Sequence, residues 1–164
     1  MQFKVMPDLY RFPDFIMPKR ASGQAAGVDL FAQEDMHITS ETRLFELGFK
    51  AAVPEGYVGI IFPRSGLGAK FNCQLSNTLG VIDSDYRGQW MAALHLGGKG
   101  TKADTTEHFF QGDTPQYYID VKRGEAYAQV LFFEVPLMEI VQVAALDDTE
   151  RGEGGFGSTT PARG

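Results

Sequence analysis

Residues 126–135 read AYAQVLFFEV, and three shorter stretches share their character: YVGIIF at 57–62, WMAALHL at 90–96 and QYYIDV at 116–121. Each is rich in aromatic and β-branched residues and is bounded by glycine, proline or charged turn residues, the pattern of a β-strand. No long apolar stripe at helical spacing accompanies them. Residues 65–70 and 72–77 are the candidates for a turn or two of helix. Many short strands with glycine and proline between them predict an all-β sandwich or barrel. A doubly wound α/β sheet is disfavoured, because strands do not alternate with helices.

The rest of the composition fits that frame. A chain of 164 residues is one domain of ordinary size, long enough to bury a core without metal or disulfide staples. Its 15 Lys+Arg against 21 Asp+Glu give a net charge of −6, which argues against a nucleic-acid-binding domain. A single cysteine, Cys73, excludes an internal disulfide framework and fits a reducing compartment. No apolar run approaches the roughly 20 residues a membrane span needs. Residues 1–15, MQFKVMPDLYRFPDF, are broken by Pro7, Pro13 and charges and do not read as a secretory signal. The expectation is a cytoplasmic protein.

Two segments stand apart. Residues 97–114 (GGKGTKADTTEHFFQGDT) are polar and glycine-rich at the start, and read as a long inserted loop. Residues 147–164 (DDTERGEGGFGSTTPARG) hold too much glycine for a packed element and read as a flexible arm. The lone Phe156 in that arm is a natural anchor for closing over a ligand.

Metal and nucleophile chemistry find little support. His37, His95 and His108 are far apart, Cys73 has no neighbouring base, and no GxSxG motif is present. Phosphate handling fares better. Residues 63–68 (PRSGLG) follow the YVGIIF strand and offer a guanidinium, a hydroxyl and backbone N–H groups freed by glycine. The tail repeats the set with Arg151 and GGFGST. Residues 80–88 (GVIDSDYRG) form an acidic hairpin. Asp83 and Asp85 could be plain turn residues, but Asp83 follows two apolar residues and, if partly buried, could act as a general base toward water.

These stretches, with two more, resemble the trimeric deoxyuridine triphosphate nucleotidohydrolases (dUTPases). Five motifs stand in order: AAGVDLFA (25–32), PRSGLGAK (63–70), GVIDSDYRG (80–88), GEAYAQVLFF (124–133) and RGEGGFGST (151–159). The resemblance covers nearly the whole chain. It implies a distorted jelly-roll domain over 1–146, interrupted by the 97–114 insertion, and an arm at 147–164 that closes the active site. It implies a homotrimer with shared sites, Mg²⁺ as cofactor, and hydrolysis of dUTP to dUMP and pyrophosphate. That reaction lowers dUTP and supplies dUMP for thymidylate synthesis.

By the same resemblance, Asp83 activates the attacking water and Tyr86 stacks beneath the deoxyribose. Asn77 and the backbone around Val81 and Ile82 read uracil, with Met91 nearby. Arg64, Ser65, Gly66 and Gln129 line the triphosphate. Phe156 stacks on uracil while Arg151, Gly157, Ser158 and Thr159 close over the phosphates, and Asp29 lies near Mg²⁺ through water. The chemistry is consistent: attack at phosphorus needs an in-line water, a base and neutralisation of the leaving pyrophosphate. Rejecting thymine by one methyl asks for a rigid pocket.

The chain departs from the family at Val28, where an aromatic is usual, and at Ala126–Tyr127, where a basic residue and an aliphatic are common. The 97–114 insertion reads as a tolerated surface loop, with a partner-binding role as the alternative. Two other functions compete. A dCTP deaminase of the same superfamily places a glutamate on the strand after the hairpin, but residues 89–94 here (QWMAAL) carry no acid. A non-enzymatic regulatory protein on this fold would be expected to lose the hairpin carboxylate or the tail, and this chain keeps both.

Overall fold

The computed structural model describes residues 1–97, 107–111 and 114–155. In chain order its elements are β1 (Lys4–Pro7), β2 (Val28–Phe31), β3 (Met36–Thr39), β4 (Arg43–Ala52), β5 (Tyr57–Pro63), α1 (Ser65–Phe71), β6 (Cys73–Leu75), β7 (Gly80–Ile82), β8 (Gln89–Leu96), β9 (Glu107–Gln111), β10 (Thr114–Val121) and β11 (Ala126–Glu134). The expected all-β fold is borne out. Three antiparallel sheets run β1-β4-β8-β6, β3-β10-β9 and β2-β11-β5-β7.

Alternation explains the strands. Along β8, Trp90, Ala92, Leu94 and Leu96 point inward, while Gln89, Met91, Ala93 and His95 alternate with them toward the outer face. Opposite it on β4, Leu47, Phe49 and Ala51 fill the core. Trp90 is the hub. Its ring lies 5.5 Å from Phe3 and 5.3 Å from Phe49, centroid to centroid. Truncating such a residue to alanine typically costs about 3–5 kcal/mol. The β4–β8 register breaks between Glu46 and Lys50, where Gly48 adopts φ +78°. A Cβ at Gly48 would come within 2.9 Å of the Gln33 side chain and 3.0 Å of Phe12, so glycine is required on both counts.

Two local expectations change. Residues 72–77 hold strand β6 rather than helix, because Cys73 and Leu75 bury alternately against β8. Helix forms at the other candidate stretch, over Ser65–Phe71. The 97–114 segment is not all loop: Glu107–Gln111 pairs with Thr114–Tyr118 as an antiparallel ladder. Its interior proline, Pro115, sits where β10 has only β9 as neighbour, since pairing with β3 begins at Tyr118, so the missing N–H breaks no central ladder. Residues 98–106 and 112–113 of that segment lie outside the described residues. The strand-bearing body ends at Glu134. Beyond it Leu137, Met138, Ile140, Val141, Val143 and Leu146 are all exposed.

Candidate active site

Strand β5 organises the candidate residues, with β11 on one side and β7 on the other. At its C-terminal end it runs into α1, whose N-cap Arg64 is extended (φ −91°, ψ 137°) and whose first turn carries no acid. Arg64 reaches across to β2, where its Nη1 lies 3.2 Å from Asp29 Oδ2. Asp29 is pinned from both flanks. Its N–H donates to Lys19 O at 2.8 Å, and β11 places Gln129 directly beside it. Gln129 Nε2 in turn donates to Pro63 O at 3.3 Å. Gly27 makes room for this amide, because a Cβ there would stand 2.3 Å from Gln129 Oε1. Asp29, Arg64 and Gln129 thus form one group beside Ser65 and Gly66. A cleft of about 420 Å³ opens from Arg64, Gly66 and Lys70 toward Asp120 and Glu125.

Strand β7 carries the second group. Gly80 lies against Ile61 so closely that a Cβ would approach the Ile61 Cβ to 3.2 Å, which seats the hairpin firmly on β5. After Val81 and Ile82 the chain turns, with Tyr86 N–H donating to Asp83 O at 3.2 Å. The Tyr86 hydroxyl folds back and donates to Gln89 O at 3.0 Å. Gly88 permits this, since its Cβ would lie 2.3 Å from that hydroxyl. Asp83 is exposed, so the partial burial that the sequence left open is not met; it faces a wide cleft of about 730 Å³ shared with Tyr57, Asp85, Arg87 and Leu137.

The two groups are not brought together within one chain. Ile82 pairs with Gly59, so Asp83 falls near the N-terminal half of β5 while Arg64 follows its C-terminal end. Five to six residues of extended strand separate them by roughly 16–20 Å. The clefts that hold them share no lining residue. Asn77 sits in the turn before β7, where Leu79 N–H donates to Asn77 O at 2.7 Å, and Met91 is half-exposed on the outer face of β8. Arg151 is exposed in a local turn, its Nε donating to Gly154 O at 2.8 Å. Phe156, Gly157, Ser158 and Thr159 lie outside the described residues.

Some contributors had no sequence signal. Arg20 donates from Nη1 to the carbonyls of Ala25 and Ala26, fastening the loop that leads into Asp29. Gly27 could have been recognised only with its partner Gln129 in view. Among the described residues no group of three His, Cys, Asp or Glu could hold a metal. Cys73 is buried, and desolvation pushes its thiol up to about 11, as befits a structural cysteine.

Comparison with known proteins identifies the family. A family model described as dUTPase matches residues 14–96. The chain is 38% identical over 153 residues to the deoxyuridine 5'-triphosphate nucleotidohydrolase of Mycolicibacterium gilvum, covering 90% of this chain and 89% of that protein. To the enzyme of the same description from Nocardia farcinica it is 38% identical over 148 residues, covering 90% and 80%. Among solved structures, a mutant dUTPase of Staphylococcus bacteriophage 80alpha with dUpNHpp superposes with a TM-score of 0.78 at 26% identity, covering 96% of this chain and 98% of that one.

Proposed function

The chain belongs to the dUTPase family and hydrolyses dUTP to dUMP and pyrophosphate, and from that premise we propose that Asp83 is the base and that each active site draws on more than one subunit. The separation of Asp83 from Arg64 along β5 carries the second point. A base and a triphosphate clamp at opposite ends of one strand cannot serve the same nucleotide, whereas neighbouring copies of the chain can present one to the other. The exposed apolar residues 137–146 support the same reading, since six large side chains left in water call for cover from another subunit. We take the assembly to be a homotrimer, the state typical of the family.

In this reading the Asp83 carboxylate accepts the proton of a water that attacks the α-phosphorus in line with the leaving pyrophosphate. Arg64, Ser65 and the amide of Gly66 hold the triphosphate, with Gln129 beside them. Arg151, Gly157, Ser158 and Thr159 cover it from the tail, and Phe156 stacks on uracil. Tyr86, locked back onto Gln89, presents a fixed ring to the deoxyribose. Asn77 and the Val81–Ile82 backbone, near Met91, read the base. Seating of Gly80 on Ile61 gives that pocket the stiffness needed to refuse a methyl group.

The family is generally Mg²⁺-dependent. Asp29 is the one acid in the Arg64 group and is already engaged by that guanidinium, which fits an ion held mainly by phosphate oxygens and water, with Asp29 reaching it through water. When bound, Mg²⁺ neutralises charge on the triphosphate. A free buried thiol and a nucleotide substrate fit the cytoplasm, and among the described residues no helix is long and apolar enough to cross a membrane. The test is pyrophosphate release from dUTP beside dTTP, dCTP and UTP, with mass measured by light scattering. Selective turnover of dUTP by a trimer is expected; an active monomer would remove the shared site.

A further inference from the structure

Arg87 stands in the acidic hairpin, yet its guanidinium is spent on backbone. Nη1 donates to Ser84 O at 2.7 Å and to Tyr86 O at 3.0 Å, bracketing the turn that carries Asp83, Ser84, Asp85 and Tyr86. Among the described residues Arg87 makes no ion pair, although two carboxylates lie within four positions of it. We propose that Arg87 is a positioning residue for the reaction, holding the hairpin tip through its carbonyls so that Asp83 keeps a fixed aim with its carboxylate unpaired.

The physics favours this arrangement over a direct pair. A guanidinium bonded to a carboxylate stabilises the ionised form and makes it a poorer proton acceptor. A guanidinium bonded to carbonyls fixes the loop without pairing with the carboxylate. The tip needs such help. Its own backbone supplies one turn bond, Tyr86 N–H to Asp83 O at 3.2 Å, and both Asp83 and Asp85 are exposed. Arg87 adds a second bond across the turn, to Ser84 O, and a further one to the carbonyl of Tyr86 at its end. Its side chain borders both the Asp83 cleft and a groove it shares with Lys4 and Lys50. With carboxylates lining one side and lysines the other, the guanidinium still gives its donors to the turn carbonyls.

This inference rests on Asp83 being the base, and the test separates the two. Arg87→Ala, assayed with the full-length oligomer, is expected to lose about tenfold in kcat, with affinity for dUpNHpp within threefold and melting temperature nearly unchanged. Free guanidinium ion at millimolar concentration should recover part of the kcat; methylammonium at the same ionic strength should not. Because Arg87 acts through Asp83, Asp83→Asn and the double variant should turn over equally slowly. A kcat within twofold of wild type in Arg87→Ala, or a loss that guanidinium leaves unrepaired, overturns the role of Arg87. Near-wild-type turnover in Asp83→Asn alone overturns the assignment of the base instead.

Discussion

Arg64 and Asp29 face each other at 3.2 Å across the junction of β2, β5 and α1, with the acid largely enclosed and the guanidinium more open. The pair aims Arg64 at the cleft beside Gly66, because Asp29 is itself fixed between Lys19 and Gln129. Asp29→Asn keeps the shape and removes the charge. The KM for dUTP should rise about tenfold, or about 1.4 kcal/mol, with little loss of stability because a half-open pair contributes little to folding. Steady-state kinetics across a Mg²⁺ titration checks this. A defect that persists at saturating Mg²⁺ places the role on Arg64; full recovery by the ion would place it on the metal.

Gly66 offers a sharper probe of the phosphate path. A Cβ built there meets nothing within 4 Å, and the position lies in α1, where alanine is the better helix former. Gly66→Ala should therefore fold at least as well, gaining up to about 1 kcal/mol. If the triphosphate passes over this backbone, KM should nevertheless rise several-fold. An unchanged KM would move the phosphates away from Gly66.

Asp35 accepts from Arg123 N–H at 2.9 Å and from Lys122 Nζ at 3.0 Å, and the backbone bond above all holds its carboxyl below the usual carboxylate range. A depressed folded pKa contributes stability above the unfolded value, near 3.9, and that contribution fades as pH falls through the folded value. Asp35→Asn should thus melt below wild type at neutral pH, and the gap should close on acidification below about pH 4. Thermal unfolding at several pH values reads this directly. A gap independent of pH would mean the loss is not electrostatic.

Tyr127 is a departure with a measurable consequence. Its hydroxyl is buried in the core with no hydrogen-bond partner among the described residues, and burial pushes its phenol well above the ordinary value. Tyr127→Phe removes an unsatisfied oxygen and keeps the ring. Stability should hold or rise by up to about 1 kcal/mol, read from the urea midpoint. A clear loss would reveal a partner for the hydroxyl, such as an enclosed water.

The strands of the core were legible because burial imposes period two, and β8 shows it without interruption from Gln89 to Leu96. Strand β9 was not, since EHFFQ is short and flanked by polar residues, and only its ladder with β10 makes it a strand. The candidate residues were legible as motifs but not as a site. Arg64 and Asp83 are close in sequence, yet β7 runs antiparallel to β5 and carries Asp83 back along it. Proximity along the chain became distance in the fold. The Asp29–Arg64 pair shows the converse, two motifs far apart in sequence joined by sheet pairing that no local pattern announces.

That distance in the fold makes shared sites testable by complementation. A chain ending at Glu150 keeps Asp83 but lacks Arg151, Phe156, Ser158 and Thr159; Asp83→Asn keeps the tail but lacks the proposed base. Each homotrimer should be nearly inactive, the variant by roughly 10²–10⁴ if a positioned base has its usual worth. Unfolded together and refolded, mixed trimers would contain sites that take Asp83 from a truncated chain and a tail from a full-length one. Activity toward dUTP should appear on co-refolding, and stay absent when the separately folded proteins are combined. The two controls matter, because exchange between finished trimers would otherwise mimic the result. Heterotrimers verified by mass that remain inactive would mean that the tail closes over its own chain's Asp83. Arg64 and Asp83, held apart by β5 within each chain, would then have to meet by a rearrangement of the hairpin rather than by assembly.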